Sequence, residues 1–484
     1  MEEIEIQAVK KKSIRGVFAL VSRTFTIQVI GLASNFLLTV FLSPSIFGVF
    51  FVVSAAIAFL SYFSDIGLAA ALIQKKEKVT EEELKTTFTI QQVLVLTAVV
   101  VALIFSGFVK SFYRLDDQGV FLFQALVISF FLSSLKTIPS IILERNLRFE
   151  KLVIPQIVEN LFFNVVAVVL AAKGFGVASF TFAVLARGIS GVIAIYIICP
   201  WRIGFGFKKE SAKKLLSFGV PFQANSLLAL VKDDLLIVYL GRVLPLAQVG
   251  YLGFAQKWAF MPLRLIMDNV IRITFPSFSR LQNEKEALRK GIEKSIFATC
   301  LLIFPALVGL VVLSSYFVHL IPKYIKWEPA IFALAFFAIN ASLSSISTSL
   351  SNALNAIGKI KITLYLMVFW TVLTWVLTPA AIVFFGFNGV ALVSAFISLS
   401  VVIVILITKR YIEFSILKIV LNPFLATAIM GLIIYFLSPY VIKDILSLIF
   451  MIILGCVIYF FTILVLAKKE LISDFKLLRE NLKQ

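Results

Sequence analysis

Long apolar segments recur along the whole chain, and they constrain its fold more than any other feature of the sequence. A run of about 20 apolar residues can cross a bilayer as a helix, whereas a membrane β-barrel would show strands of about ten residues with alternating polarity. The chain is 60% hydrophobic and 15% charged, whereas soluble proteins carry about 25% charged residues. The sequence therefore predicts an all-α polytopic membrane protein.

Fourteen apolar segments are predicted to cross the membrane as helices. The first is longer than a signal-peptide core and lacks an evident cleavage site, so it is predicted to be retained as a membrane helix. The predicted spans cover residues 17–42, 48–74, 87–109, 119–142, 152–172, 175–199, 216–240, 249–275, 292–321, 329–356, 360–385, 387–408, 419–438 and 445–466.

Basic residues are distributed unevenly between the two predicted sides of the membrane. With a cytoplasmic N-terminus, cytoplasmic segments carry 31 of the 45 Lys and Arg residues, external segments carry seven, and seven lie within spans. The positive-inside rule therefore predicts a cell-membrane protein with both termini in the cytoplasm. The net charge of +19 follows mostly from this topology, and nucleic acid is not predicted as a partner.

Two pairs of similar segments predict an internal repeat. "NFLLTVFLSPSIFGVFF" at Asn35 resembles "DDLLIVYLGRVLPLAQVGYL" at Asp233, and "GFGVASFTF" at Gly174 resembles "GFNGVALVSAF" at Gly386. Because each half holds six spans, the halves form a parallel repeat around a pseudo-twofold axis along the membrane normal. The predicted organisation is two six-helix bundles, residues 1–210 and 211–412, followed by two further helices and a basic tail, residues 413–484.

Signatures of catalysis and of tightly bound cofactors are missing from the sequence. It contains no Walker A motif, no H-E-x-x-H and no G-x-S-x-G. His319 is the only histidine, and the three cysteines have no metal-ligand spacing. No catalytic residue, metal site or cofactor is predicted, and a secondary transporter is favoured over an enzyme.

The predicted eighth span carries an unusual number of charges, in "QKWAFMPLRLIMDNVIRITFPSFSR". Lys257, Arg264, Asp268 and Arg272 fall within about 80° of one another on a helical wheel. A charge at membrane depth costs roughly 2.5–3.5 kcal/mol on insertion scales. This face is therefore predicted to line a cavity, although Arg264 and Asp268 also have the i, i+4 spacing of a local ion pair. Arg272 is close enough to the helix end to snorkel.

Other spans also carry ionisable residues. Arg23 and Arg187 are the candidates for cavity cations in the first half, whereas Lys136 is within snorkelling distance of the cytoplasm. Asp233 or Asp234 is a candidate partner of Lys257, or a carboxylate that couples transport to an ion. The predicted substrate-binding cations are Arg23, Arg187, Lys257, Arg264 and Arg272, and the coupling or ion-pair candidates are Asp65, Asp233, Asp234 and Asp268. Because cations predominate, an anionic substrate head group is predicted.

Three stretches resemble the polysaccharide transporter (Wzx-type) flippases of the multidrug/oligosaccharidyl-lipid/polysaccharide exporter superfamily. They are "SDIGLAAALIQKKEKVTEEELKTTF", "ILERNLRFEKL" and the segment from Asp233 to Gln282. The resemblance is greatest to the branch with colanic-acid and teichuronic-acid exporters. It implies a V-shaped pair of six-helix bundles that flips an undecaprenyl-pyrophosphate-linked oligosaccharide to the external leaflet.

The resemblance also implies roles for particular residues and partners. Related lipid II flippases use arginines on helices one and eight, which correspond here to Arg23 and to Arg264 or Arg272. Membrane lipids, a polysaccharide polymerase and glycosyltransferases are the further candidate partners, and protons and sodium are the candidate coupling ions. Two alternative functions are a multidrug or lipid exporter of the same superfamily and a membrane glycan polymerase or ligase.

Overall fold

The structure is a computed structural model that describes residues 23–24, 26–62, 66–75, 77, 79–224 and 227–468, with side chains for all of these except 218, 220–224 and 227–229. The chain divides into two compact units, Met1–Gly250 and Tyr251–Gln484. The finer division at residues 210 and 412 stays a prediction.

The described part of the first unit consists of helices and their connections. They are α1 (Thr26–Phe41), α2 (Pro44–Tyr62), α3 (Leu68–Gln74), α4 (Glu81–Ile104), α5 (Ser106–Tyr113), α6 (Asp117–Leu135), α7 (Thr137–Arg145), α8 (Phe149–Ala172), α9 (Ala178–Ile198), α10 (Lys209–Ala224), α11 (Leu227–Val243) and the start of α12 (Leu246–Arg280).

In the second unit, the residues described up to 468 form the rest of α12, seven further α-helices and a 3₁₀ turn at Ile325–Trp327. The α-helices are α13 (Lys285–Leu320), α14 (Ala330–Ala356), α15 (Ile360–Phe385), α16 (Asn388–Ser398), α17 (Val401–Lys409), α18 (Ile416–Val441) and α19 (Ile445–Leu466).

Each predicted span coincides with one helix or with two consecutive helices in the described residues. Eleven helical segments, two of which are the pairs α6–α7 and α16–α17, are long and apolar enough to cross a membrane. The other three predicted spans are the first, the seventh and the eighth. The first is described only from residue 23, the seventh covers α10 and α11 on either side of residues outside the described set, and the eighth is the highly charged α12. The prediction of an all-α polytopic membrane protein is therefore confirmed.

Local sequence explains where several helices begin. The Thr80 hydroxyl and the Glu83 carboxylate form a capping box at the start of α4, and the Asp116 carboxylate accepts from the Gly119 amide at the start of α6. These side chains satisfy backbone N–H groups that have no partner within the helix. Pro139 lies in the first turn of α7, where its missing N–H costs little, so a new helix begins there after a break at Lys136.

Close helix packing in the first unit depends on glycines. On α9, Gly188 lies against Leu132 of α6, and Gly191 lies against Glu159 of α8. Gly48 and Gly250, which occupy equivalent positions in the predicted repeat, lie where α2 crosses the start of α12. A Cβ atom on either of these two would overlap with the other helix's backbone, so the crossing requires glycine at both positions.

The second unit has an apolar core built mainly on α13 and α14. Ile296 and Cys300 of α13 pack with Leu350 of α14 and Val404 of α17 in one buried cluster. A second cluster joins α13 to α18 and α19. The two C-terminal helices are therefore packed parts of this unit rather than detached appendages.

Candidate functional site

A cavity of about 560 Å³ lies within the first unit, between α1, α3 and α6–α9. Five ionisable side chains contribute to its wall, three cationic and two acidic, beside amide and hydroxyl groups. They are Arg23, Lys136, Arg187, Glu144 and Glu159. The cations therefore outnumber the carboxylates in a cavity formed mostly by apolar helices, as the predicted anionic ligand requires.

Glu159 lies between two of these cations. Its Oε1 atom accepts a hydrogen bond from the Lys136 ammonium group at 2.6 Å, and its Oε2 atom lies 3.8 Å from the Nε atom of Arg187. The side chains of Lys136 and Glu159 are 15% and 11% exposed, whereas that of Arg187 is 51% exposed. The carboxylate thus binds Lys136 closely and Arg187 only by charge, and the guanidinium group remains open to the cavity.

Gly191 provides the space that the Glu159 carboxylate occupies. A Cβ atom at this position of α9 would overlap with the carboxyl group. The sequence "RGISG" therefore supplies the cation Arg187 and, one turn later, the gap that accepts its partner. Residues i and i+4 lie on the same face of a helix, which explains why the two features meet at one point.

Two further features position the cations in this cavity. Arg23 donates a hydrogen bond of 2.6 Å to the side-chain oxygen of Gln156, one turn before Asn160 on α8. Lys136 occupies the junction between α6 and α7. The snorkelling interpretation of Lys136 is wrong, because the structure pairs its ammonium group with Glu159 inside the unit.

The polar face of α12 lies in the second unit and differs in its contacts. The helix is continuous through Pro262. Lys257, Arg264, Asp268 and Arg272 are all exposed, whereas Leu252, Ala255, Ala259 and Met267 are buried. The structure therefore places the predicted charges on one accessible face of a single helix.

Within the described chain, Arg264 and Asp268 on this face form no ion pair, so local neutralisation by an i, i+4 pair does not occur in this structure. The buried side of the helix is fixed instead by a hydrogen bond of 2.9 Å from the Asn352 amide to the Thr274 hydroxyl. A contact of 3.9 Å between the Ser349 hydroxyl and the Met267 sulfur lies nearby.

Three of the predicted coupling carboxylates are described: Asp233 and Asp234 lie on α11, and Asp268 lies on α12. Asp233 is exposed and lies 3.9 Å from the ammonium group of Lys232, while Asp234 is partly buried on α11. Asp65 lies outside the described residues. Among the residues that can be described, no cluster of three or more His, Cys, Asp or Glu side chains could hold a metal ion.

Sequence reasoning missed the central pair of the first unit. Glu159 and Lys136 are both conspicuous charges within apolar segments, but they are 23 residues apart and on different helices. The small residues of "RGISG" beside Arg187 were the available signal, because glycine in a packed helix often marks a close approach.

Comparison with known proteins identifies the family. Residues 37–332 match the family described as "Polysaccharide biosynthesis protein". The teichuronic acid biosynthesis protein TuaB of Bacillus subtilis is 25% identical over 385 residues, which are 77% of this chain and 78% of TuaB. The succinoglycan biosynthesis transport protein ExoT of Rhizobium meliloti is 23% identical over 440 residues, or 88% of this chain and 87% of ExoT.

A third relative and two solved structures complete the comparison. The lipopolysaccharide biosynthesis protein WzxC of Escherichia coli is 25% identical over 76% of this chain and 74% of WzxC. The lipid II flippase MurJ has a TM-score of 0.76 at 17% identity, covering 93% of this chain and 99% of MurJ. An inward-facing MATE transporter of the MOP superfamily has a TM-score of 0.61 at 16% identity, covering 81% and 98%.

The family match covers more than half of the chain, and the structural likeness shows a fold shared with MOP transporters. This chain belongs to the polysaccharide biosynthesis protein family, and it is a multi-pass membrane protein whose fold is shared with the MurJ flippase and a MATE transporter.

Proposed function

We propose that this protein flips an undecaprenyl-pyrophosphate-linked oligosaccharide from the cytoplasmic to the external leaflet by alternating access. The glycan would then be available for assembly into a surface polysaccharide. The single observation that carries the proposal is the cavity of the first unit, where Arg23, Lys136 and Arg187 lie among apolar helices. A cation at membrane depth is energetically unfavourable, so its presence there indicates an anionic ligand or a transport pathway.

The diversity of the relatives supports recognition of the carrier rather than of the sugar. TuaB, WzxC and ExoT are named for teichuronic acid, lipopolysaccharide and succinoglycan. Different glycans carried on a common lipid pyrophosphate would need a common anion site, and arginine binds two phosphate oxygens in a planar fork. Arg23 and Arg187 supply that group in the cavity of the first unit. Lys257, Arg264 and Arg272 are the candidate substrate-binding cations of the second unit.

The rest of the proposal concerns the orientation of the protein and its energy source. Both termini lie in the cytoplasm, as the distribution of Lys and Arg predicts. The isoprenoid tail stays in the lipid while the pyrophosphate and the glycan move. A proton or sodium gradient drives the cycle, with Asp65, Asp233, Asp234 and Asp268 as candidate coupling carboxylates.

Reconstitution tests this function directly. Purified protein in liposomes should expose a fluorescent undecaprenyl-pyrophosphate-linked oligosaccharide on the opposite leaflet, measured by quenching with a membrane-impermeant reductant. No new covalent product should form, which distinguishes a flippase from a glycan polymerase or ligase. Equal quenching in liposomes with and without protein, under several imposed ion gradients, would contradict the proposal.

The other candidate function is multidrug export, because one structure with a similar fold is a multidrug resistance MATE family transporter. At 16% identity that likeness shows the fold alone. A carrier of cationic drugs would need an anionic cavity, whereas the cations are in excess here. Ethidium efflux from the same liposomes would favour this alternative.

A further inference from the structure

The Glu159 carboxylate occupies a position that an anionic ligand of this cavity would need. It lies between Lys136 and Arg187, which are two of the three cations in the wall. A carboxylate and a phosphate both offer negatively charged oxygens to lysine and arginine, so the two groups would compete for these donors.

The two contacts of Glu159 differ in strength. The contact with Lys136 is a hydrogen bond of 2.6 Å between two side chains that are almost fully buried. The contact with Arg187 is 3.8 Å long, and within the described chain the Arg187 side chain makes no hydrogen bond. Because arginine has five N–H donors, its capacity to bind a second anion is almost unused.

We propose that Lys136, Glu159 and Arg187 form a phosphate site in which the Glu159 carboxylate is the resting occupant. A phosphate group of the ligand displaces this carboxylate from Arg187 but leaves it bound to Lys136. The inference rests on the proposed function, since it assigns one phosphate of the lipid pyrophosphate to Arg187. It adds Glu159 as the residue that sets how tightly that phosphate is held.

The surroundings of Glu159 support displacement rather than a fixed structural pair. Gly191 leaves space on α9 for the carboxylate, and the half-exposed Arg187 side chain faces the cavity. With no ligand bound, the carboxylate neutralises charge that would otherwise be costly in an apolar unit. With phosphate bound, the same carboxylate repels it, so the site binds its ligand without holding it permanently.

The test is the affinity of the purified full-length protein for inorganic pyrophosphate, measured by titration calorimetry in detergent. In Glu159→Gln the amide oxygen still accepts a hydrogen bond from Lys136, but the competing charge is gone. We expect the dissociation constant to fall on the order of tenfold, because a like charge a few ångströms from the ligand is removed. Glycerophosphoglycerol, the head group of phosphatidylglycerol, is titrated in parallel to identify the phosphate source.

Two matched variants show whether the effect acts through Arg187. Glu144→Gln removes the same charge from the same cavity wall, and it should tighten binding much less. In the Arg187→Gln background, Glu159→Gln should give no tightening at all. Equal gains in Glu144→Gln, or an undiminished gain without Arg187, would overturn the proposal and show only a general change in potential.

A second variant replaces Glu159→Gln if that protein does not fold. Glu159→Asp retracts the carboxylate from Arg187 by one methylene group, and it too should bind pyrophosphate more tightly; unchanged affinity would overturn the inference.

Flipping and binding assays together separate this inference from the proposed function. If the wild type flips the lipid-linked oligosaccharide but Glu159→Gln binds pyrophosphate with unchanged affinity, the inference is wrong and the proposed function stands. If Glu159→Gln binds more tightly but the wild type does not flip the lipid, the proposed function is wrong and the phosphate site stands.

Discussion

The cavity of the first unit and the exposed face of α12 both carry lysine or arginine beside a carboxylate, but their charges are stabilised differently. In the first unit, Lys136 and Glu159 form a buried ion pair of 2.6 Å. On α12, Arg264, Asp268 and Arg272 are exposed and, in the described part of the chain, make no ion pair. Removal of one partner of a buried pair is destabilising because it leaves an unpaired buried charge, whereas exposed charges can change with little effect on folding. The comparison thus separates charges that hold a cavity together from charges that are available to a ligand.

The largest expected effect is the loss of one partner of the buried pair. Lys136→Met leaves the Glu159 carboxylate buried with only the 3.8 Å contact to Arg187, and it should destabilise the protein by about 3 kcal/mol. Thermal unfolding in detergent measures this change. The double variant Lys136→Met/Glu159→Leu should recover most of the loss, and Arg264→Met should change stability by less than about 0.5 kcal/mol. Similar losses in Lys136→Met and Arg264→Met would erase the contrast.

Next in size is the effect of filling the space beside Glu159. Gly191→Ala places a methyl group against the carboxyl group and should cost roughly 1–3 kcal/mol through overpacking. Gly309 on α13 of the second unit is the control, because a Cβ atom there meets no other atom within 4 Å. Gly309→Ala should stabilise the helix by up to about 1 kcal/mol. Thermal unfolding in detergent measures both variants. A loss of stability in both would show that the effect of Gly191→Ala does not come from overlap with the Glu159 carboxyl group.

A smaller effect is expected where α12 is fastened to α14. Thr274→Val removes the hydroxyl that accepts the Asn352 amide and should cost about 1 kcal/mol. A double-mutant cycle with Asn352→Leu isolates the pairwise energy. Coupling near zero would indicate that the accessible face of α12 is not held in place by this hydrogen bond.

The smallest effect on stability is expected for an exposed ion pair, which separates the contribution of burial from that of short distance. Lys110 and Asp117 form an ion pair with the same 2.6 Å separation as Lys136 and Glu159, but their side chains are 47% and 80% exposed. Lys110→Met should therefore leave the unfolding temperature unchanged within error, because water and salt screen exposed pairs. A loss comparable to that of Lys136→Met would show that short distance, rather than burial, determines the contribution.

Sequence reasoning succeeded where the signal is local. The span predicted at residues 360–385 coincides with α15, Ile360–Phe385, and the helical wheel placed the α12 charges on one face. It failed where the signal depends on tertiary contacts. Lys136 and Glu159 meet only because α7 restarts at a proline-containing turn and α9 leaves space at Gly191, and neither fact follows from periodicity.

The most direct test of the central claim, that cavity cations bind the lipid pyrophosphate, is glycan export in cells that depend on this protein. Arg23→Ala and Arg187→Ala, at two arginines of the cavity wall, should each reduce export at least about tenfold, since each removes a charge-assisted contact with phosphate. Arg280→Ala, in the last turn of α12, should export normally. Full export by both cavity variants at normal protein levels would contradict the account.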